Sequence, residues 1–311
     1  MKESLDRYFY KPKGLLRVFG PDAAGFLQGQ FSNDLSGEAG KCVYGYWLNR
    51  KGKVLADSFV LKESEETFWL VSYECLSAVI AERLDSYIIM DDVEVEILSE
   101  AYGAFSVWGE DLESAALPNE VDVPAQGEFS SFEGGFCFRG VRGGGFPSIE
   151  IVQIADSGAS VLDVLARDPG IHDLTSMDVD NFSIVEDRPI PPRAFGETDL
   201  PQETSMGIDA ISYNKGCYLG QEVMARIKSM GRVRRQLIPA QLNGLISVGT
   251  ESREVKSSAG IKVGDFRALT NDGVDTYGFV MLKSGQRLED CHLEGLSGNF
   301  VSLREYGAED I

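Results

Sequence analysis

The apolar residues of this chain fall into short runs, many of them alternating, and turn residues end each run before a long helix can form. Gly14 to Val18 reads as a strand, Gly20-Pro21-Asp22 as a turn, and Ala23 to Gln30 as a helix that Asp22 can cap. Tyr44 to Leu48 and Val54 to Leu61 read as strands joined by the hairpin Asn49-Arg50-Lys51-Gly52-Lys53, with Thr67 to Val71 as a third strand. Leu76, Val79, Ile80, Leu84 and Ile88 share the spacing of an amphipathic helix over Glu74 to Ile89, and Val93, Val95 and Ile97 then alternate as a strand. Strands and helices interleave without a steady strand-helix-strand period, so an α+β chain is expected rather than a doubly wound sheet.

Further strands are expected at Ala104 to Trp108, Phe136 to Val141 and Ile149 to Ile154, with a helix over Val161 to Ala166 started near Ser157 or Ser160. Gly143-Gly144-Gly145 reads as a hairpin turn, because neither a Lys-Ser/Thr pair nor a helix follows it as in a phosphate loop. Beyond about residue 236, Gln236 to Asn243, Ile261 to Val263, Thr276 to Met281 and Phe300 to Leu303 are short strands broken by Gly, Asn and Asp, the pattern of a small antiparallel barrel. A chain of 311 residues suggests two or three units. The division expected is residues 1–238, holding two interleaved α+β modules, and residues 239–311, holding the barrel.

Composition narrows the function. At 43% hydrophobic and 25% charged the chain is expected to fold throughout. It has no apolar run of membrane-spanning length, and its first residues mix acids with bases, so neither a membrane span nor a signal peptide is expected. Its five cysteines, at positions 42, 75, 137, 217 and 291, are odd in number and lack a Cys-x-x-Cys pair. That argues against a disulfide framework or a zinc site, so no metal centre is expected and a reducing cytoplasm is the simplest compartment. The net charge of −20 opposes binding to nucleic acid, whose affinity comes from phosphate neutralisation. Any polyanion must meet a local basic patch, and Arg226, Lys228, Arg232, Arg234 and Arg235 supply one.

The chemistry concentrates where this basic run begins. Residues 186 to 204 contain four prolines and a glycine, which excludes both a long helix and an inner strand and predicts an ordered loop. The chain then runs on to Lys215-Gly216-Cys217-Tyr218-Leu219-Gly220-Gln221-Glu222, with a helix starting at Glu222. Gly216 and Gly220 permit close backbone approach to a ligand or a neighbouring strand. An ammonium near a cysteine favours the thiolate, so Lys215 and Cys217 are the candidate catalytic pair. The plainer alternative is that Cys217 is a small buried hydrophobe. One thiol is too few for an iron–sulfur cluster, and neither His172 nor His292 lies near it in sequence.

The octapeptide, followed by Ala225-Arg226 and Gly231-Arg232-Val233-Arg234-Arg235, resembles the YgfZ family, relatives of the glycine-cleavage T-protein. The likeness extends to Gly20-Pro21-Asp22-Ala23, Phe26-Leu27-Gln28-Gly29-Gln30 with Asn33-Asp34, Gly52-Lys53, and Leu200-Pro201-Gln202-Glu203. It implies a three-module ring, two α+β modules plus a small C-terminal antiparallel β-barrel, around an opening that holds tetrahydrofolate or another folate. It further implies an accessory role in making or maintaining iron–sulfur proteins, including enzymes that modify tRNA. The partners expected are then folate and iron–sulfur client proteins, with the chain a monomer and direct nucleic-acid binding not expected.

Carried over by position, Glu186 matches the carboxylate that holds the pterin in T-protein relatives. The surrounding Ser183-Ile184-Val185-Glu186-Asp187-Arg188 lacks the arginine and glycine of that family stretch. Tyr218, Gly220, Gln221, Glu222, Arg226 and Arg232 complete the expected folate-binding set, the arginines facing a glutamate tail. The second function that the resemblance allows is a tetrahydrofolate-dependent aminomethyltransferase. Its catalytic aspartate has only Asp91, Asp92 and Asp111 as candidates, none in a convincing context.

Overall fold

Three sheets frame the computed structural model, which describes residues 5–294 and 298–304 apart from 116, 119, 120, 156–160, 208, 248, 250 and 251. The first sheet runs, in spatial order, Ile171–Asp173, Leu5–Tyr10, Tyr102–Trp108, Ser148–Ile154, Gly135–Arg139 and Phe129–Phe132. All its pairings are antiparallel except that of Leu5–Tyr10 with Ile171–Asp173. The second is antiparallel throughout: Cys42–Leu48, Val54–Lys62, Thr67–Ser72, Gly14–Phe19 and Glu94–Ile97. These two sheets pack face to face. Phe59 and Leu61 of the second meet Phe136, Phe138 and Val152 of the first in one buried cluster, with the Phe59 and Phe138 rings 4.9 Å apart. Burying each such phenylalanine stabilises the fold by roughly 1.5–3 kcal/mol.

Helices cover the outer faces. Helix α1 (Ala23–Gln30) and helix α2 (Ser77–Asp85) place Phe26, Leu27, Ile80 and Leu84 against Leu16, Trp47, Val60 and Leu70 of the second sheet. Helix α2 is shorter than the expected Glu74 to Ile89. It begins after Leu76, and its last residues give way to a turn in which Tyr87 N–H donates to the Leu84 carbonyl. Asp22 precedes α1 but does not cap it, since its carboxylate accepts the backbone N–H of Asp92 instead. Helix α3 (Val161–Ala166) lies on the first sheet, and the serines proposed as its start fall outside the described residues. Helix α4 (Ser176–Val185) opens with a capping box: the Thr175 hydroxyl accepts from Asp178 N–H and the Asp178 carboxylate from Thr175 N–H. Helix α5 (Gln221–Met230) starts at Gly220 and stops at Gly231, both in the left-handed region.

The third sheet holds Cys291–Leu293, Arg253–Ser257, Lys262–Asn271, Thr276–Lys283, Arg235–Leu242 and Phe300–Ser302 in spatial order, antiparallel and curled around Phe266, Val280 and Phe300. This curled sheet stands where the sequence suggests a small barrel. The expected division at residue 238 falls inside its strand Arg235–Leu242. Leu237, Phe279 and Met281, on the face opposite Val280, join Ala194 and Phe195 of the long loop, Ala210 and Ile211 just beyond it, and Tyr46, Leu48 and Val54 of the second sheet. The loop is thus the mortar between the third sheet and the rest. Among the described residues, no helix is long and apolar enough to cross a membrane.

Candidate functional site

A cavity of about 810 Å³ opens between the first two sheets and the long loop. Val43, Tyr44, Val60 and Lys62 wall it from the second sheet, and Arg139, Gly140, Val141 and Ser148 from the first. Asn33 and Asp34 follow α1 on another side, and Arg188, Met206 and Asp209 come from the loop region. The third sheet contributes no lining residue among those described.

The loop is held by charge rather than by regular structure. Asp199, 1% exposed, accepts hydrogen bonds from Gly196 N–H, Arg235 at 3.1 Å and Arg267 at 2.7 Å. Glu203, 4% exposed, takes Arg235 in a two-point pairing at 3.0 and 2.8 Å. Such bidentate, charge-assisted bonds are stronger than neutral ones and fix direction as well as distance. They tie the proline-rich segment to Arg235 and Arg267 of the third sheet.

The chain leaves this loop for the octapeptide, whose residues part company. Lys215 turns inward: it is 9% exposed, and its ammonium donates to the carbonyl oxygens of Phe31 at 2.8 Å and Asn33 at 2.7 Å. Burial lowers its pKa to about 8, with the nearby Asp34 carboxylate opposing the shift. Tyr218 is buried with its ring 5.2 Å from the same ammonium. Gly220 meets the hairpin, where a methyl group in place of its hydrogen would lie 2.9 Å from the Asn49 carbonyl and 3.2 Å from Gly52 Cα. Gly52 presses back on Val223 and Met224 of α5. The glycines therefore serve strand-to-helix packing. Cys217 alone among the five cysteines is exposed, and none of the five is paired.

The expected pairing of Lys215 with Cys217 is not among the described contacts, because the ammonium is committed to the two carbonyls beyond α1. Its route to the cavity is short: Asn33, whose carbonyl it binds, lines the wall and donates from its side-chain amide to the carbonyls of Tyr44 and Asp209, each at 2.9 Å. The neighbouring Asp34 carboxyl is held below the usual range by hydrogen bonds from Gln28 and Ser36.

Glu186 ends α4 at the cavity's edge. Its carboxylate accepts Gly145 N–H at 3.3 Å and crowds Gly144, where a Cβ would meet Glu186 Oε2 at 2.5 Å. The three glycines read as a plain turn do form one, between strands Gly135–Arg139 and Ser148–Ile154, yet Gly144 also lines the cavity. Beside it Arg188 donates to the Gly144 carbonyl at 3.2 Å, while its Nε is buried and has no partner among the described residues. None of the residues expected to bind folate is among those that line the cavity; Glu186 stands behind Gly144, which is. Tyr218, Gly220, Gln221 and Glu222 form the junction into α5, Arg226 and Arg232 are exposed on and after that helix, and Arg235 is spent on Asp199 and Glu203.

Asp91, Asp92 and Asp111 are not cavity residues either. The carboxylate behind the cavity wall is Asp57, 1% exposed, which accepts from the Tyr44 hydroxyl at 2.9 Å and the Ser72 hydroxyl at 2.5 Å. Burial raises its pKa. Nothing in the local sequence around Asp57 marks it, since a strand of alternating pattern places an acid on its outer face by default.

Residues 12–117 match the family described as the GCVT N-terminal domain. The human mitochondrial iron–sulfur cluster assembly factor IBA57 is 28% identical over 310 residues, covering 93% of this chain and 80% of its own length. A mitochondrial IBA57 homologue from Cryptococcus neoformans is 27% identical over 268 residues, covering 77% and 67%. These relatives are named as mitochondrial, which overturns the cytoplasmic expectation: unpaired thiols report a reducing environment and do not single out one compartment. The comparisons name IBA57 rather than YgfZ. The glycine cleavage aminomethyltransferase T of Bartonella henselae superposes with a TM-score of 0.72 at 16% identity, covering 97% of this chain and 85% of that one. The chain has the α+β fold of the glycine-cleavage aminomethyltransferases, with a GCVT N-terminal domain matched over residues 12–117.

Proposed function

We propose that this chain is an accessory protein in iron–sulfur protein assembly or repair, with a folate-class ligand in the cavity and Cys217 as its working thiol. The observation that carries the reading is the likeness to IBA57 across 93% of the chain, joined to the single exposed cysteine in the octapeptide. The cavity suits a folate. Its size falls within the range of roughly 300–1,000 Å³ usual for small-molecule sites, and Arg188 Nε lacks a partner that a ligand's polar edge can supply. Arg188 and Glu186 would hold that edge, while Tyr44, Val43 and Met206 exclude water from its apolar faces. Lys215 positions the wall through Asn33 and does not act on the thiol.

Titration calorimetry with tetrahydrofolate on the wild type, Glu186→Ala and Arg188→Ala tests the ligand. Heat with the wild type and at least a several-fold loss in both variants is expected, and no heat with the wild type sinks the folate reading. The assembly role is tested in cells carrying Cys217→Ala, whose iron–sulfur enzymes should lose activity under oxidative stress. Full activity there removes Cys217 from the proposal.

The aminomethyltransferase alternative draws on the fold and needs a carboxylate in contact with the reacting amine. Asp57 reaches the cavity through the Tyr44 hydroxyl rather than directly, which weighs against turnover. Release of a one-carbon unit from an aminomethylated lipoyl carrier by the purified chain would reverse that preference.

A further inference from the structure

In a chain of net charge −20, cations without ion-pair partners are concentrated on the face formed by the second sheet's hairpin and helix α5. Gly52 and Gly220 bring these elements into contact, so residues far apart in sequence share one surface. Arg50, Lys51 and Lys53 stand on the hairpin, and Arg226, Arg232 and Arg234 on and just after α5. No side-chain hydrogen bond or ion pair is made by any of the six among the described residues, and all but the half-buried Lys53 are exposed. The basic run recognised in sequence is thus only half of the patch. Lys228 sits 4.1 Å over the Tyr213 ring and extends it.

Neighbouring features decide what such a surface can receive. None of the six lines the cavity, so a small ligand bound there does not account for them. Met230, 68% exposed at the end of α5, adds an apolar contact, and the exposed Cys217 lies in the segment leading into the same helix. The aromatic ring of the patch, Tyr213, is covered by Lys228, which removes the stacking platform that single-stranded nucleic acid uses. A nucleic-acid backbone is also long, and beyond the patch it meets the acidic remainder of the molecule. A partner protein with a local acidic face meets only the patch, and an interface of mixed basic and apolar residues is of the ordinary kind.

We infer that the hairpin–α5 face is a docking surface for an acidic protein partner, which would bring that partner alongside Cys217. The inference does not depend on folate or on the iron–sulfur role.

The test measures binding of the full chain to a fluorescent peptide of alternating Asp and Glu, and to a single-stranded RNA of equal charge, over a range of salt. Binding of the peptide should weaken as salt rises. The reversal Arg226→Glu/Arg232→Glu/Arg234→Glu should lower its affinity about tenfold or more. The hairpin reversal Arg50→Glu/Lys51→Glu should do likewise, and it keeps the test decisive if the first variant melts early. Arg253→Glu/Arg287→Glu, on exposed parts of the third sheet's module, should leave binding unchanged. Tighter binding of the RNA than of the peptide overturns the assignment in favour of nucleic acid. Equal losses in patch and control variants, or no peptide binding, overturn it outright. A loss confined to a polyglutamylated folate, with the peptide spared, returns the patch to a ligand tail.

Discussion

Replacing Gly220 with alanine separates packing from chemistry in the octapeptide. Gly220 has φ +88°, a left-handed conformation that costs an L-residue roughly 1–2 kcal/mol. The added methyl lies 2.9 Å from the Asn49 carbonyl, 3.2 Å from Gly52 Cα and 3.3 Å from Leu48 Cβ, and none of these is the free end of a flexible side chain. Overpacking of this kind costs a further ~1–3 kcal/mol. Gly220→Ala should therefore destabilise by about 2–5 kcal/mol, a large share of the roughly 5–15 kcal/mol that holds a typical domain. Gly216, four positions earlier in the same motif, has nothing within 4 Å of its would-be methyl and no positive φ. Gly216→Ala should stay within about 0.5 kcal/mol of the wild type. Urea unfolding followed by tryptophan fluorescence reads both, with Trp47 in the affected sheet as reporter. Equal stability of the two variants refutes the packing account and returns Gly220 to a direct role at a ligand.

Lys215 makes stability depend on pH in an unusual direction. Its folded pKa, lowered to about 8, lies below the ordinary lysine value of about 10.4, so between these limits the unfolded chain binds more protons and stability rises with pH. The slope is at most about 1.4 kcal/mol per pH unit, and Lys215→Met should flatten it in urea titrations across that window. Arg235→Ala should cost about 3 kcal/mol or more, because it leaves the buried Asp199 and Glu203 short of a partner, and limited proteolysis should then cut the loop at 186–204. Alkylation of the native chain should label Cys217 first, since burial shields Cys42, Cys75 and Cys137 and raises their pKa values; mass spectrometry showing equal labelling would contradict this.

The sequence pattern located most strands because their neighbours in the chain are also their neighbours in the sheet: the hairpin at Asn49–Lys53 and the alternation at Val93–Ile97 are local signals. Leu5–Tyr10 carries no such signal, since both its partners, Tyr102–Trp108 and Ile171–Asp173, are distant in sequence. Helix α4 was legible in principle through Thr175-Ser176-Met177-Asp178, a capping box, but its burial is confined to Val179 and Ile184, which hides the helical period. The octapeptide was singled out by its lysine, cysteine and glycines before any resemblance, and Glu186 by resemblance. Arg188 and Asp57 were not, because a residue's place on a cavity wall depends on how two sheets and a loop meet. The same limit hides how Lys215 and Cys217 stand: two residues apart in sequence, one is buried with its ammonium on the carbonyls beyond α1 and the other is exposed.

That divergence constrains how a ligand and the thiol can act together. Cys217 is not among the residues that line the cavity, so a ligand held there would not touch the thiol directly. The connection that the described hydrogen bonds provide runs from the cavity wall at Tyr44 and Asp209, through Asn33, to the Lys215 ammonium and hence to the backbone two residues before Cys217. Each of these links is a positioning bond, and the buried ammonium at its centre donates to two carbonyls with the Asp34 carboxylate and the Tyr218 ring nearby. A ligand that shifts Asn33 must therefore move or loosen the Cys217 loop, whereas a ligand that leaves Asn33 in place does not reach it. Tetrahydrofolate should accordingly change the alkylation rate of Cys217 in the wild type and leave it unchanged in Asn33→Ala, provided that calorimetry shows the variant still binds. An unchanged rate in the wild type at saturating ligand would mean that the cavity and the thiol work independently.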